Sequence, residues 1–188
     1  MAQAVEMFFD DQADQKVRRL WEILADHGLP SLATLTHRRH RPHVSLTVAE
    51  TLNEADLDDL RSALTQQPPA LNLDFLGTFP GAEGVLFAGV AATTELLAFH
   101  RRIHAALPSH RIKHWPYYFP DKWIPHCTLA IGLNRTELSE AMDVLHGFEP
   151  IAAAVSSIGI TETTTGTVTP LLPSGTPVRH PPAEDREG

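Results

Sequence analysis

The apolar residues of this chain follow two spacings, one typical of helices and one typical of strands. They recur every three or four positions over 12–27 and 94–107, which predicts two amphipathic helices. Asn53 and Asn134 each precede a similar pattern, and because asparagine is a common N-cap, two further helices are predicted to begin there. Strands are predicted from alternation or short apolar runs at 5–9, 43–50, 71–76, 84–90, 126–132 and 151–160.

The same order of elements occurs twice along the chain. Each half has a strand, a helix, a strand that begins with histidine, an Asn-capped helix and a strand, which predicts an α+β fold. We therefore expect one domain over 1–172, formed by pseudo-repeats at about 4–80 and 84–172, with a last hairpin strand within 161–172. The segment 173–188 lacks apolar periodicity and is predicted to be a disordered tail.

Composition narrows the class of protein. With 188 residues, of which 43% are hydrophobic and 20% charged, the chain can bury one sizeable core. It has no apolar run long enough for a transmembrane helix and no signal-peptide pattern, so we expect a cytoplasmic monomer without a membrane partner. The single cysteine, Cys127, excludes an internal disulfide and a thiolate metal cluster.

Charge is distributed unevenly. The net charge is −8, yet the stretches 37–43 and 100–114 contain seven basic residues and no acidic one. An acidic protein with two basic stretches can attract a small anionic substrate without binding long duplex nucleic acid. Two solvated basic faces are an equally good interpretation of the same pattern.

Two of the eleven histidines share a local motif. His43 and His126 are each preceded by proline and followed by a hydroxyl residue and then leucine, which gives Pro-His-x-[Ser/Thr]-Leu twice. At this composition roughly 0.01 such matches are expected by chance. Because alternate residues of a strand share a face, His43 should project with Ser45, and His126 with Thr128.

This pairing has a clear chemical use. Two imidazoles on opposite sides of a phosphorus atom can act as general base and general acid near neutral pH. Two hydroxyl groups can donate hydrogen bonds to the non-bridging phosphate oxygens, and this chemistry requires no metal. The competing interpretation is a pair of structural histidines near strand ends, with hydroxyls that bond the local backbone.

The segments 41–48 and 123–133, which contain these motifs, resemble the 2H phosphoesterase superfamily. The likeness covers about 4–172 and is greatest to bacterial RNA 2′,3′-cyclic phosphodiesterases and 2′-5′ RNA ligases. It implies a bilobal fold with two mainly antiparallel sheets around a central cleft and helices outside. It also implies a metal-independent reaction on the phosphodiester of an RNA end or small nucleotide. Two positions differ from many members, which have Thr at Ser45 and Arg at Ile131.

Other residues near the motifs are candidates for substrate binding. The aromatic loop before the second motif includes Tyr118 and Trp123, whose rings could stack a base beside the phosphate. Arg41 is close in sequence to His43 and could neutralise a phosphate. Core packing of the two rings and a solvent-exposed Arg41 are equally good interpretations.

Two further sites are disfavoured by the sequence. Histidines at 37, 40 and 43 have helical spacing, but Pro42 and the strand after it argue against a metal site, so no metal or cofactor is predicted. Cys127 should point away from the cleft by alternation, which argues against a nucleophilic thiol.

The alternative to an enzyme is a module of the same fold that binds an RNA end or nucleotide without catalysis.

Overall fold

Eight strands and four helices form the fold in the computed structural model, which describes residues 2–35, 39–79, 81, 83–108 and 110–172. The proposed tail at 173–188 and His37 lie outside the described residues. The strands are β1 (Gln3–Phe9), β2 (His43–Ala49), β3 (Leu71–Phe79), β4 (Gly84–Val90), β5 (His126–Leu133), β6 (Ile151–Ala153), β7 (Val155–Glu162) and β8 (Val168–Leu172). The helices are α1 (Asp11–Asp26), α2 (Glu54–Ala63), α3 (Thr94–Ala106) and α4 (Arg135–Val144), with a 3-10 helix at Pro116–Tyr118.

The strands form two antiparallel sheets of four strands each, which confirms the expected α+β architecture. The order is β2-β1-β7-β8 in the first sheet and β5-β4-β3-β6 in the second. Strand β3 from the first half of the sequence therefore pairs with β4 from the second half, and β7 pairs with β1. Because each sheet takes strands from both halves of the chain, the packing of each sheet depends on both.

The prediction of a single strand at 151–160 is wrong in one respect, because the segment is divided into two strands at Ala154. Strand β6 joins the second sheet, whereas β7 joins the first. At the break, the Asp10 N–H donates to the Ala154 carbonyl at 2.8 Å and the Ala154 N–H donates to the Asp10 carboxylate at 2.6 Å. The two hydrogen bonds satisfy the backbone where the chain passes between sheets.

The helix termini follow the sequence signals. The Asp10 carboxylate also accepts hydrogen bonds from the first backbone N–H groups of α1. Asn53 and Asn134 are N-caps, as predicted, and each forms a reciprocal capping box with the acidic residue three positions later. None of the described helices has the length and apolar content needed to cross a membrane.

The two sheets meet along the strands that contain the motifs. Strands β2 and β5 are edge strands of their own sheets and contact each other. Beside this contact, the Leu32 N–H donates to the Leu129 carbonyl at 3.1 Å. The fold thereby places the two Pro-His-x-[Ser/Thr]-Leu segments next to each other.

Candidate active site

The predicted alternation of the two motifs is present in the structure. His43 and Ser45 are partly exposed on β2, whereas Val44 and Leu46 between and beyond them are fully buried. On β5, His126 and Thr128 are likewise partly exposed, while Cys127 and Leu129 are buried. Burial raises the pKa of the Cys127 thiol to about 12, which keeps it protonated and unreactive near neutral pH.

Three of the four motif side chains line an open cleft in the described part of the chain. His43, Ser45 and Thr128 all contribute to its lining. His126 is close enough to His43 for a charge on His43 to lower the pKa of His126. The structure thus brings the four predicted residues of the two motifs into one neighbourhood.

Both imidazole rings are fixed in the same way. The Nδ1 of His43 lies 2.7 Å from the carbonyl oxygen of Arg41, and the Nδ1 of His126 lies 2.7 Å from that of Ile124. A carbonyl can only accept, so each Nδ1 carries a proton and donates it. In each ring Nε2 is thus the nitrogen that does not bond the backbone of its own motif.

The surroundings of the two rings differ. His43 Nε2 lies 3.2 Å from a carboxylate oxygen of Glu6, whereas the ring of His126 contacts Phe79 and Phe87, with centroid distances of 4.9 and 5.1 Å. Desolvation by these surroundings lowers the pKa of His126; the hydrogen bond to the Ile124 carbonyl opposes this effect and the charge of His43 adds to it.

Two tryptophans hold the backbone of the motifs in equivalent ways. The indole N–H of Trp123 donates to the Ser45 carbonyl at 2.9 Å, and that of Trp21, on α1, donates to the Thr128 carbonyl at 3.2 Å. Because β2 and β5 are sheet edges, such carbonyls need partners from outside the sheet. Each strand is therefore fixed at its hydroxyl residue by an indole.

This position corrects the interpretation of Trp123 as a residue that contacts substrate. The Trp123 side chain is buried, with 7% of its surface exposed, and its ring stacks on His100 with a centroid distance of 3.9 Å and an interplanar angle of 3°. A large ring with a satisfied N–H in the core acts in packing. Trp115, by contrast, is 47% exposed and lines the cleft.

The other two candidate residues do line the cleft. Tyr118 lies on the 3-10 helix, and its hydroxyl hydrogen-bonds the Ser45 side chain. Burial raises the pKa of Tyr118, the bond to Ser45 opposes this effect and the charge of Glu6 adds to it, so the phenol stays protonated near neutral pH. Arg41 also lines the cleft, with its guanidinium 4.5 Å from the centroid of the Phe8 ring.

Glu6 and Trp21 contact the motifs but were not predicted from the sequence. Glu6 is an isolated acid in the apolar strand segment 3–9, and this unusual position was the only local signal. Trp21 occupies an apolar position of α1, like any core residue, and its bond to Thr128 spans 107 positions. Among the described residues, no group of three or more His, Cys, Asp or Glu side chains is arranged to hold a metal ion.

Comparisons with known proteins give a family and a fold. Residues 9–167 match the family model described as the 2′-5′ RNA ligase superfamily. The structure is similar to TT0787 of Thermus thermophilus, with a TM-score of 0.59, 17% identity, and coverage of 92% of this chain and 96% of that chain. A search of the curated proteins gives no match.

Usb1 of Kluyveromyces marxianus has a similar fold. It gives a TM-score of 0.54 at 11% identity, and the similarity covers 90% of this chain and 97% of that chain. A structure of the same protein with uridine monophosphate gives a TM-score of 0.51 at 11% identity, with the same coverage of both chains. At these identities the similarity concerns the fold alone.

Proposed function

The chain belongs to the 2′-5′ RNA ligase superfamily of 2H phosphoesterases, and on this premise we propose that it is a metal-independent phosphodiesterase. Its substrate is a 2′,3′-cyclic phosphate or a 2′-5′ phosphodiester, at an RNA end or in a small nucleotide. The observation that supports this activity best is the equivalent arrangement of His43 and His126. Each ring is held through Nδ1 by a backbone carbonyl, with a hydroxyl residue two positions later on the same face.

The proposed reaction needs only these side chains and water. One histidine accepts a proton from water as the water oxygen attacks phosphorus. The bond from phosphorus to one ribose oxygen breaks, and the second histidine donates its proton to that oxygen. The Ser45 and Thr128 hydroxyls donate hydrogen bonds to the non-bridging oxygens as negative charge develops there. Solvent then returns both histidines to their starting states.

Residues at the cleft would bind the rest of the substrate. The guanidinium of Arg41 supplies positive charge for the phosphate, and Trp115 and Tyr118 supply aromatic surface for a base. The Usb1 structure with uridine monophosphate is a case of this fold together with a nucleotide. We extend nucleotide binding to this chain as part of the proposal.

A binding module without catalysis is the alternative. It would use the same cleft to hold an RNA end or nucleotide. A module needs a phosphate site but has no use for two imidazoles that are both oriented to exchange a proton through Nε2. Intact motifs on both strands therefore favour the enzyme.

A substrate panel separates the two functions. Purified protein is incubated with the four nucleoside 2′,3′-cyclic phosphates and with 2′-5′ and 3′-5′ linked dinucleotides, with and without EDTA. We expect turnover of a cyclic phosphate or of a 2′-5′ dinucleotide, at a rate that EDTA does not change. Binding without turnover would support the module, and turnover abolished by EDTA would contradict a metal-independent reaction.

Loss of either motif histidine should nearly abolish turnover. We expect His43→Ala and His126→Ala each to lower kcat by about 10²- to 10⁴-fold, because each removes a general acid or base. His146→Ala, at an exposed histidine outside the cleft, is the matched control and should retain activity. Circular dichroism checks that all three variants fold. Full activity in a folded motif variant would refute the mechanism.

A further inference from the structure

Glu6 is a buried carboxylate in the cleft, next to one motif histidine. It lies on β1, directly opposite Ser45 in the antiparallel register, and only 5% of its surface is exposed. One of its oxygens is 3.2 Å from His43 Nε2, and the Thr161 hydroxyl donates to the other. Both oxygens of this carboxylate therefore have a partner.

A buried carboxylate is costly unless a cation or hydrogen-bond donors compensate it. The Thr161 hydroxyl supplies one donor, and His43 can supply the second only with a proton on Nε2. Because Nδ1 already donates to the Arg41 carbonyl, that proton makes the ring an imidazolium. The carboxylate and the backbone carbonyl together provide an acceptor for each proton of the charged ring.

The second sheet has no such carboxylate at the equivalent position, which lies on β4 opposite Thr128. Phe87 is the residue directly opposite Thr128, as Glu6 is opposite Ser45. The His126 ring contacts Phe87 and Phe79, and desolvation lowers the pKa of His126. Two histidines that are equivalent in the motif thus lie in opposite environments, and such a difference separates acid from base in other active sites.

We propose that Glu6 is a positioning residue that holds His43 in its protonated form, so that His43 is the general acid and His126 the general base. This assignment rests on the proposed phosphodiesterase function. His126 Nε2 accepts the proton of the attacking water, the new oxygen–phosphorus bond forms, and the bond from phosphorus to the ribose oxygen breaks. The Nε2 proton of His43 passes to that oxygen.

The distance between Glu6 and His43 suits this role. Charge-assisted hydrogen bonds of this kind usually measure about 2.7–2.9 Å, and the separation here is 3.2 Å. This separation is longer than that range, so the carboxylate acts on the ring mainly through its charge and no short bond holds the Nε2 proton. A leaving oxygen in the cleft can then receive it.

Other charged or titratable side chains line the same cleft as His43 or interact with it. They are Arg39, His40 and Arg41 on the segment before β2, Tyr118 on the 3-10 helix and His126 on β5. Arg18 of the Asp14–Arg18 ion pair on α1 donates to the His40 carbonyl. The basic groups oppose a charge on His43 until a phosphate occupies the cleft. They are unchanged in a Glu6 variant, so such a variant isolates the effect of the carboxylate.

The pH dependence of Glu6→Gln tests the proposal. Glutamine has nearly the same shape without the charge, so the alkaline limb of kcat/KM should move about one pH unit lower. Activity should fall about tenfold at pH 8 and stay within about twofold of wild type at pH 5.5, which is below the ordinary pKa of a histidine. Glu162→Gln, one residue beyond Thr161, is the matched control and should behave as wild type.

A uniform loss at every pH, or an unchanged profile, would overturn the role of Glu6. Imidazole ¹⁵N NMR provides a test that needs neither turnover nor a stable variant. In the wild-type protein, His43 should keep two ring protons at a pH where His126 has lost one; the reverse order would overturn the assignment. If the NMR order is as expected but no substrate is turned over, the proposed function fails and the carboxylate–imidazolium pair stands.

Discussion

At the scale of single residues, the site depends on groups that fix the motif backbone as much as on the motif itself. Trp21 and Trp123 come from different parts of the chain, yet each donates its indole N–H to the carbonyl of a motif hydroxyl residue. Neither indole lies in the motif. Each combines a large buried ring with one directed hydrogen bond, and so positions Thr128 or Ser45 at a sheet edge.

Replacement of these indoles should therefore affect stability. Trp21→Phe and Trp123→Phe remove the donor and part of the ring, and we expect each to lower the free energy of unfolding by about 1–3 kcal/mol. Trp115→Phe makes the same change at an exposed site and should stay within about 0.5 kcal/mol of wild type. Urea denaturation followed by circular dichroism measures all three. Equal effects at buried and exposed sites would contradict this account.

At the scale of elements, α3 supports β2 through buried histidines. His100 donates from Nε2 to the Leu46 carbonyl at 2.8 Å and stacks on Trp123. His104 packs between His100 and His114, with ring centroid distances of 6.0 and 4.5 Å. His100 Nδ1 and His104 Nε2 are buried without a hydrogen-bond partner in the described part of the chain. Burial of these two nitrogens without a partner disfavours a charge on His100 and on His104.

Stability should consequently fall in acid. Burial lowers the pKa of His100 from 6.5 to about 4, and burial and the charge of His114 lower that of His104. The unfolded chain binds these protons near pH 6.5 and the folded protein only at lower pH, so stability is present above pH 6.5 and is lost as pH falls toward 4. For His100 the loss is of order 3 kcal/mol.

Urea denaturation at several pH values tests this effect. We expect His104→Leu to reduce the dependence of unfolding free energy on pH between 6.5 and 4, because it removes one ionisable group that the fold keeps neutral. His110→Leu, at an exposed histidine, should leave that dependence unchanged. The cluster would have no such role if the two variants gave the same slope.

At the scale of the whole molecule, the cleft depends on contact between two sheets. Each sheet presents one motif on an edge strand, and the contact of β2 with β5 brings the edges together. The chain passes between the sheets at Ala154, where Asp10 binds the backbone. Burial raises the pKa of Asp10, but hydrogen bonds from four backbone N–H groups outweigh this effect, so the pKa is lowered overall. The Asp10 carboxylate therefore stays charged near neutral pH.

A site formed from both sheets should show two ionisations in catalysis. One histidine must be neutral and the other protonated, so kcat/KM should give a bell-shaped profile with both limbs between about pH 5 and 8. Because desolvation lowers the pKa of His126, the acid limb should lie below pH 6.5. Circular dichroism at each pH distinguishes this limb from acid unfolding. A profile with a single limb would contradict a two-histidine mechanism.

The sequence by itself determined the features that depend on neighbouring residues. Alternation in a strand is local, so the shared face of His43 and Ser45, and of His126 and Thr128, could be read from their spacing. The caps at Asn53 and Asn134 are local for the same reason, since the capping side chain binds backbone within one turn. The duplicated motif is also local, and its residues alone are enough to indicate the family.

Only the tertiary structure decided which partners these residues meet. Glu6 contacts His43, and Trp21 contacts Thr128, across distances in sequence that no periodic pattern encodes. Trp123 looked like a ligand-binding ring in its aromatic loop, but packing against His100 placed it in the core. Local spacing fixes the direction of a side chain. Its environment, and hence its protonation and role, depends on which distant strand or helix packs against it.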